Sequence, residues 1–141
     1  MGDRRKSVAK RQVAGRLKNL STEVFSDIVE QAVSRIPAEI RRKLDNIVIS
    51  VQPYPSEEIL EELGLTPGEG LFGYYSGVPL IDRSATDPPL YPDTIFIFQQ
   101  PLEAYCRSRE ELLEEIEITV VHEIAHFFGF DDEQLNALGY S

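Results

Sequence analysis

The chain has only two histidines, and they lie four residues apart in the stretch HEIAH, where Glu123 follows the first. On an α-helix, His122 and His126 project from the same side, about 6 Å apart along the axis. Two imidazoles so placed can share one zinc ion, with bonds of about 2.0–2.1 Å. Glu123 then lies beside the metal, where a carboxylate serves as base toward a zinc-bound water. The pattern H-E-x-x-H therefore predicts a zinc hydrolase.

The third ligand must come from close by, because only 15 residues follow His126. Gly129 can adopt the left-handed conformation that ends a helix and reverses the chain. Asp132 comes three residues later, so the full pattern is H-E-x-x-H-x-x-G-x-x-D. This predicts His122, His126 and Asp132 as metal ligands, with Gly129 as the structural turn. Asp131 suits a capping role at the start of a final helix.

One long helix is expected to present the motif. Residues 108–129 begin with the capping-box pattern S-x-x-E at Ser108 and Glu111 and end at Gly129. An apolar stripe covers about 80° of arc, opposite the imidazoles, and favours burial of the helix's second half. Its members are Leu113, Ile116, Val120, Ile124 and Phe127.

The rest of the chain predicts an α+β fold, a short mixed sheet packed against helices. Helical patterns occupy residues 22–36, 37–45 and 56–64, with a last short helix after Gly129. Strand patterns occupy residues 46–52, 71–77 and 94–100. The last strand is apolar on both faces and should be central, whereas residues 71–77 should form an edge. The proline-rich residues 78–93 should form an irregular loop.

The charge divides the chain into two parts. Residues 1–20 carry seven of the 14 Lys and Arg but only one of the 24 acids, which leaves the rest at −16. We therefore assign residues 1–20 as a basic extension, disordered or helical, and residues 21–141 as one domain. An acidic body favours cationic partners and argues against nucleic acid, except through the basic residues 1–20.

The remaining composition indicates a cytoplasmic protein. Cys106 is the single cysteine, so no internal disulfide can form, and we expect a small buried side chain there. No run of about 18 apolar residues is available to span a membrane, and no apolar segment follows the charged N-terminus as in a secretory signal.

With these motifs, the sequence resembles the minimal zincins, a group of small bacterial zinc metallopeptidases. The resemblance covers roughly residues 22–141 and rests on VVHEIAHFFGFDDEQLNALGY, on YPDTIFIFQQPLE and on the segment from Phe25 to Glu58. It implies a compact α+β zincin fold and a peptide or protein substrate. It also implies a zinc ion held by His122, His126 and Asp132, with Glu123 assisting the attack of zinc-bound water on a peptide bond.

The chain departs from larger zincins in two respects. Asp132 stands where related enzymes have a third histidine, and no methionine follows Met1, so no methionine turn can lie under the site. A donor for the developing oxyanion is not evident, although Tyr74, Tyr75 and Tyr140 are candidates. These absences put activity on general proteins in doubt.

Two other functions remain open. HEIAHFFGFDD also resembles the H-x-x-x-H-x-x-G-x-D-H pattern of a metal-dependent endoribonuclease, for which the basic residues 1–20 would contact RNA. Alternatively, the zinc ion has a structural role in a non-catalytic domain that binds a protein partner. The sequence does not indicate the oligomeric state.

Overall fold

The computed structural model describes residues 20–68, 70–77 and 93–140. Six α-helices and three β-strands occur in these ranges. The helices are α1 (Thr22–Ser34), α2 (Ala38–Arg41), α3 (Glu57–Leu63), α4 (Gln99–Tyr105), α5 (Arg109–Phe128) and α6 (Asp132–Ala137). The strands are β1 (Ile47–Gln52), β2 (Gly73–Ser76) and β3 (Asp93–Phe98). A single 3-10 turn, Arg42–Leu44, joins α2 to the first strand.

The three strands form one mixed sheet in the order β1-β3-β2. β3 runs parallel to β1 and antiparallel to β2, which confirms that β3 is central. Within the described residues β2 pairs only with β3, so β2 is an edge of this sheet. The predicted α+β class with a short mixed sheet is confirmed.

The long helix α5 forms where the caps predicted it. The Ser108 side chain accepts a hydrogen bond from the Glu111 main chain at its start, and Gly129 ends it with a φ of 75°. The Glu111 carboxylate reaches back to the main-chain N–H of Arg107 rather than to that of Ser108. This satisfies an N–H one residue earlier than a standard capping box does.

The helices α1 and α5 pack together over one face of the sheet. From β3, Ile95 and Ile97 are fully buried on this face, and Phe25 from α1 joins them. The predicted apolar stripe of α5 contributes four buried side chains: Leu113, Ile116, Val120 and Ile124. Cys106 is also fully buried in this core, as expected for a small apolar side chain.

One element was missed by the sequence patterns. The third strand was predicted to continue to residue 100, but β3 ends at Phe98 and α4 begins at Gln99. Pro101 lies in the first turn of α4, where a residue without an N–H breaks no helical hydrogen bond.

Two predictions fall partly outside the described residues. Of the basic extension only Leu20 is described, and of the predicted loop only Asp93 is described. Both therefore stay predictions. In the described ranges, no helix has the length and apolarity needed to cross a membrane.

Candidate metal and catalytic site

The motif residues lie on the last two turns of α5. Glu123 is 6% exposed, whereas His122 is partly buried and His126 is exposed. The Nε2 atom of His122 is itself screened from solvent. The sequence had predicted that the second half of α5 is covered throughout. The covering is incomplete over the last turn, where His126 reaches solvent and Phe127 and Phe128 are only partly buried.

Glu123 is held by the edge strand of the sheet. The main-chain N–H of Tyr75 donates a hydrogen bond of 2.9 Å to Glu123 Oε1. This N–H points away from β3, because the bonds between β2 and β3 use the other side of the strand. A carboxylate that is almost fully buried needs such a partner to offset its lost hydration. The contact therefore fixes Glu123 against β2, an edge of the sheet that the described residues form.

A glycine lets α5 approach β2 closely enough for this bond. A Cβ atom added at Gly73 would lie 2.5 Å from Thr119 Cγ2 and 3.2 Å from the carbonyl oxygen of Phe96. Thr119 is one helical turn before Glu123, and Gly73 is two residues before Tyr75. Because Gly73 has no side chain, α5 and β2 approach each other closely at Thr119. This close approach sets the separation of helix and strand at the next contact, where Glu123 meets Tyr75.

The side chain of Tyr75 makes a second link between β2 and α5. Its ring stacks on that of Phe127, with centroids 4.4 Å apart and planes 13° from parallel. Its hydroxyl donates to Asp93 Oδ2 at 3.1 Å, at the start of β3. Thr119, Glu123 and Phe127 recur every four residues, so one stripe of α5 lies along β2.

The chain reverses after α5 as the glycine predicted. Gly129 has a left-handed backbone, and the main-chain N–H of Phe130 bonds to the carbonyl of Ala125. Asp131 caps α6 in a capping box with Gln134, in agreement with the predicted capping role. Asp132 is the first residue of α6 and is exposed.

The predicted ligands suit zinc in chemical type and in order along the chain. The two imidazoles come from one helix, one turn apart, and the carboxylate comes from the next helix after a left-handed turn. The structure does not gather all three. Across residues 20–68, 70–77 and 93–140, no three His, Cys, Asp or Glu side chains form a group able to hold a metal ion.

The candidate oxyanion donors are tyrosines whose hydroxyls donate to carboxylates. Tyr74 donates to Glu62 Oε2 at 2.8 Å, and Tyr140 donates to Glu117 Oε2. Burial, with the adjacent Glu62 carboxylate adding to it, raises the pKa of Tyr74 to about 12. Burial and Glu117 likewise raise the pKa of Tyr140, which Arg35 partly offsets.

The sequence patterns did not identify Thr119 or the main-chain N–H of Tyr75 as parts of this site. A main-chain donor carries no residue signal, and a threonine in a helix is unremarkable. The one available signal was Gly73, since a glycine inside a strand often marks the close approach of another chain segment.

A large part of the chain matches the model of a known protein family. The family model described as zincin-like metallopeptidase matches residues 44–140. The match therefore includes all three strands, the whole of α5 and the Gly129 turn. No curated protein sequence matches the chain.

Replacing Gly73 with Ala should lower the free energy of unfolding by about 1–3 kcal/mol, because the new methyl overlaps Thr119. Adding Thr119→Ser, which deletes the overlapping Cγ2, should restore part of that loss. The measurement is urea denaturation of wild type, both single variants and the double variant. If the effects of the two substitutions on the free energy of unfolding are additive in this double-mutant cycle, the side chain at position 73 does not clash with Thr119.

Alkaline pH should weaken the fold partly through Tyr74. Its folded pKa of about 12 lies above the unfolded value of 10, so the unfolded chain loses this proton first as pH rises. Its stabilising contribution is complete below pH 10 and is lost between pH 10 and 12. The free energy of unfolding, measured by denaturation at several pH values in this interval, should fall less steeply with pH for Tyr74→Phe than for wild type. Equal slopes would contradict the raised pKa of Tyr74.

Proposed function

Because the chain belongs to the family of zincin-like metallopeptidases, we propose that it is a zinc-dependent peptidase whose general base is Glu123. The observation that carries this proposal is the hydrogen bond from the Tyr75 main chain to Glu123, one residue from His122. The bond joins a carboxylate to the edge of a sheet, on the helix that also carries both imidazoles, and peptide hydrolysis would use all three.

His122, His126 and Asp132 would hold the zinc ion. Since these residues are not gathered in the structure, binding requires the side chains and the turn around Gly129 to converge. Asp132 and His126 are both exposed, so neither has to leave the core to do so. Once bound, zinc would polarise the scissile carbonyl and lower the pKa of a coordinated water toward about 7.

Glu123 would act as the proton carrier of the reaction. Its carboxylate accepts the proton of the attacking water and then delivers it to the leaving amine, so that the protons balance over the two steps. The Tyr75 N–H keeps the carboxylate in place through both steps. The buried position excludes bulk water, which strengthens the electrostatic interactions of the carboxylate.

The edge strand β2 would hold the substrate. A peptide in extended form would add to this edge by main-chain hydrogen bonds to outward-facing groups of β2 other than the Tyr75 N–H, which Glu123 occupies. We propose peptides with basic residues as the preferred class, because residues 21–141 carry a strong excess of acids. The acids of the described residues near β2 include Glu62 and Asp93, which the tyrosine hydroxyls of that strand contact.

Replacing Glu123 with Gln should abolish hydrolysis of a quenched fluorescent peptide library, by at least about 100-fold, while zinc stays bound. Glu114→Gln, an exposed position on the same helix, is the matched control and should retain full activity. His126→Ala should remove the metal itself. Zinc content is measured by metal analysis of each purified variant.

Loss of zinc in Glu123→Gln would contradict the base assignment, because that residue would then be a ligand. Replacing zinc with cobalt distinguishes a catalytic zinc site from a structural one. A hydroxamate changes the cobalt spectrum only if a coordination position is open to a ligand from solution. Salt-sensitive binding of RNA, without peptide hydrolysis, would favour the endoribonuclease alternative.

A further inference from the structure

An apolar groove lies at the opposite edge of the sheet from Glu123. It has a volume of about 560 Å³ between α1 and β1. Val29 and Val33 of α1 line one side. The other side is formed by the alternating side chains Ile47, Ile49 and Val51 of β1, which remain partly exposed. Covering these half-exposed aliphatic side chains would remove apolar surface from water, which is energetically favourable.

The rim of this groove on α1 is acidic. Glu23, Asp27 and Glu30 are exposed and follow one another at helical spacing, while α1 contains no Lys or Arg. None of the three forms an ion pair with a cation of the described ranges. Like charges at this spacing repel one another and destabilise a helix, so a cationic neighbour would relieve the repulsion.

The chain enters the described structure beside this groove. Leu20 is fixed at both main-chain groups, since its N–H donates to Glu103 at 3.2 Å and its carbonyl accepts from Gln99 at 2.8 Å. Gln99 directly follows Phe98, the Cα partner of Gln52 at the end of β1. Leu20 therefore lies toward the end of the groove that Val51 lines, and the sequence has two residues between Leu17 and Leu20 in which the chain could reverse.

The sequence of residues 1–19 complements both the apolar lining and the acidic rim. At 100° per residue, Ala9, Val13 and Leu17 share one face, and Lys10 and Arg16 flank that face about 60° to either side. A helix from residue 9 to 17 is about 12 Å long, close to the roughly 13 Å that β1 spans from residue 47 to 51.

We propose that residues 9–17 dock as an amphipathic segment into the groove between α1 and β1 of their own chain. Val13 and Leu17 cover the aliphatic side chains, and the flanking cations pair with the carboxylates of α1. The basic extension is thus an integral layer of the domain, at the edge of the sheet far from the candidate zinc site. This inference does not depend on the proposed activity.

Methyl-resolved NMR of the full-length chain tests the docking directly. Wild type should give cross-peaks between the methyl groups of Leu17 and those of Ile47 or Ile49. The double variant Val13→Asp with Leu17→Asp should shift the Ile49 and Val33 methyl resonances, while those of Ile95 and Ile97 in the core stay in place. Val8→Asp is the matched control, because Val8 lies about 140° from Val13 on the helix and should change nothing.

A second comparison tests the role of charge. Replacing Glu23, Asp27 and Glu30 with Lys should weaken or abolish the cross-peaks, whereas the same charge change at the exposed Glu57, Glu58 and Glu61 of α3 should leave them. Absence of the wild-type cross-peaks would overturn the proposal. Cross-peaks that arise between differently labelled chains, and that fade on dilution, would also overturn it by assigning the groove to a second copy.

Discussion

The contact between α5 and β2 is the constraint on which the candidate site depends. A helix bearing two histidines and a carboxylate can pack on a sheet in many ways, and most of them leave that carboxylate in solvent. Here Gly73 removes the side chain that would hold the two elements apart, and Thr119 packs in its place. The next turn of the helix then puts Glu123 on the Tyr75 main chain, and the turn after it puts Phe127 on the Tyr75 ring.

The same packing separates the site into a fixed part and an adjustable part. Glu123 and the strand edge belong to the fixed part, since Glu123 is buried and bonds to the main chain of the strand. His126 and Asp132 belong to the adjustable part, because they are exposed and lie on either side of the left-handed turn at Gly129. Drawing the adjustable donors His126 and Asp132 together around a metal ion would disrupt little packing, while Glu123 keeps its position. Such coupling of metal binding to local ordering is common where a site is not fully formed in advance.

Much of this arrangement could be predicted from the sequence, because the signals were local. Ser108 and Gly129 define the ends of α5, and the abundance of β-branched residues in 46–52 predicts β1. The apolar residues on both faces of the strand predicted at 94–100 identified it as central. The start of α4 was missed because Pro101 suits both the end of a strand and the first turn of a helix. The bond between Tyr75 and Glu123 joins a main-chain group to a residue 48 positions away, and no side-chain pattern encodes that pairing.

X-ray absorption spectroscopy of the zinc-loaded full-length chain tests the central claim most directly, because it reports the ligands of the metal itself. The account predicts two imidazole nitrogens at about 2.0–2.1 Å together with carboxylate and water oxygens, and no bound zinc in His126→Ala. It also predicts that Glu123→Gln leaves this spectrum unchanged. A wild-type spectrum without imidazole scattering would contradict the assignment of α5 as the metal-binding helix. A spectrum that changes with Glu123→Gln would contradict the assignment of Glu123 as the base, because that residue would then be a ligand.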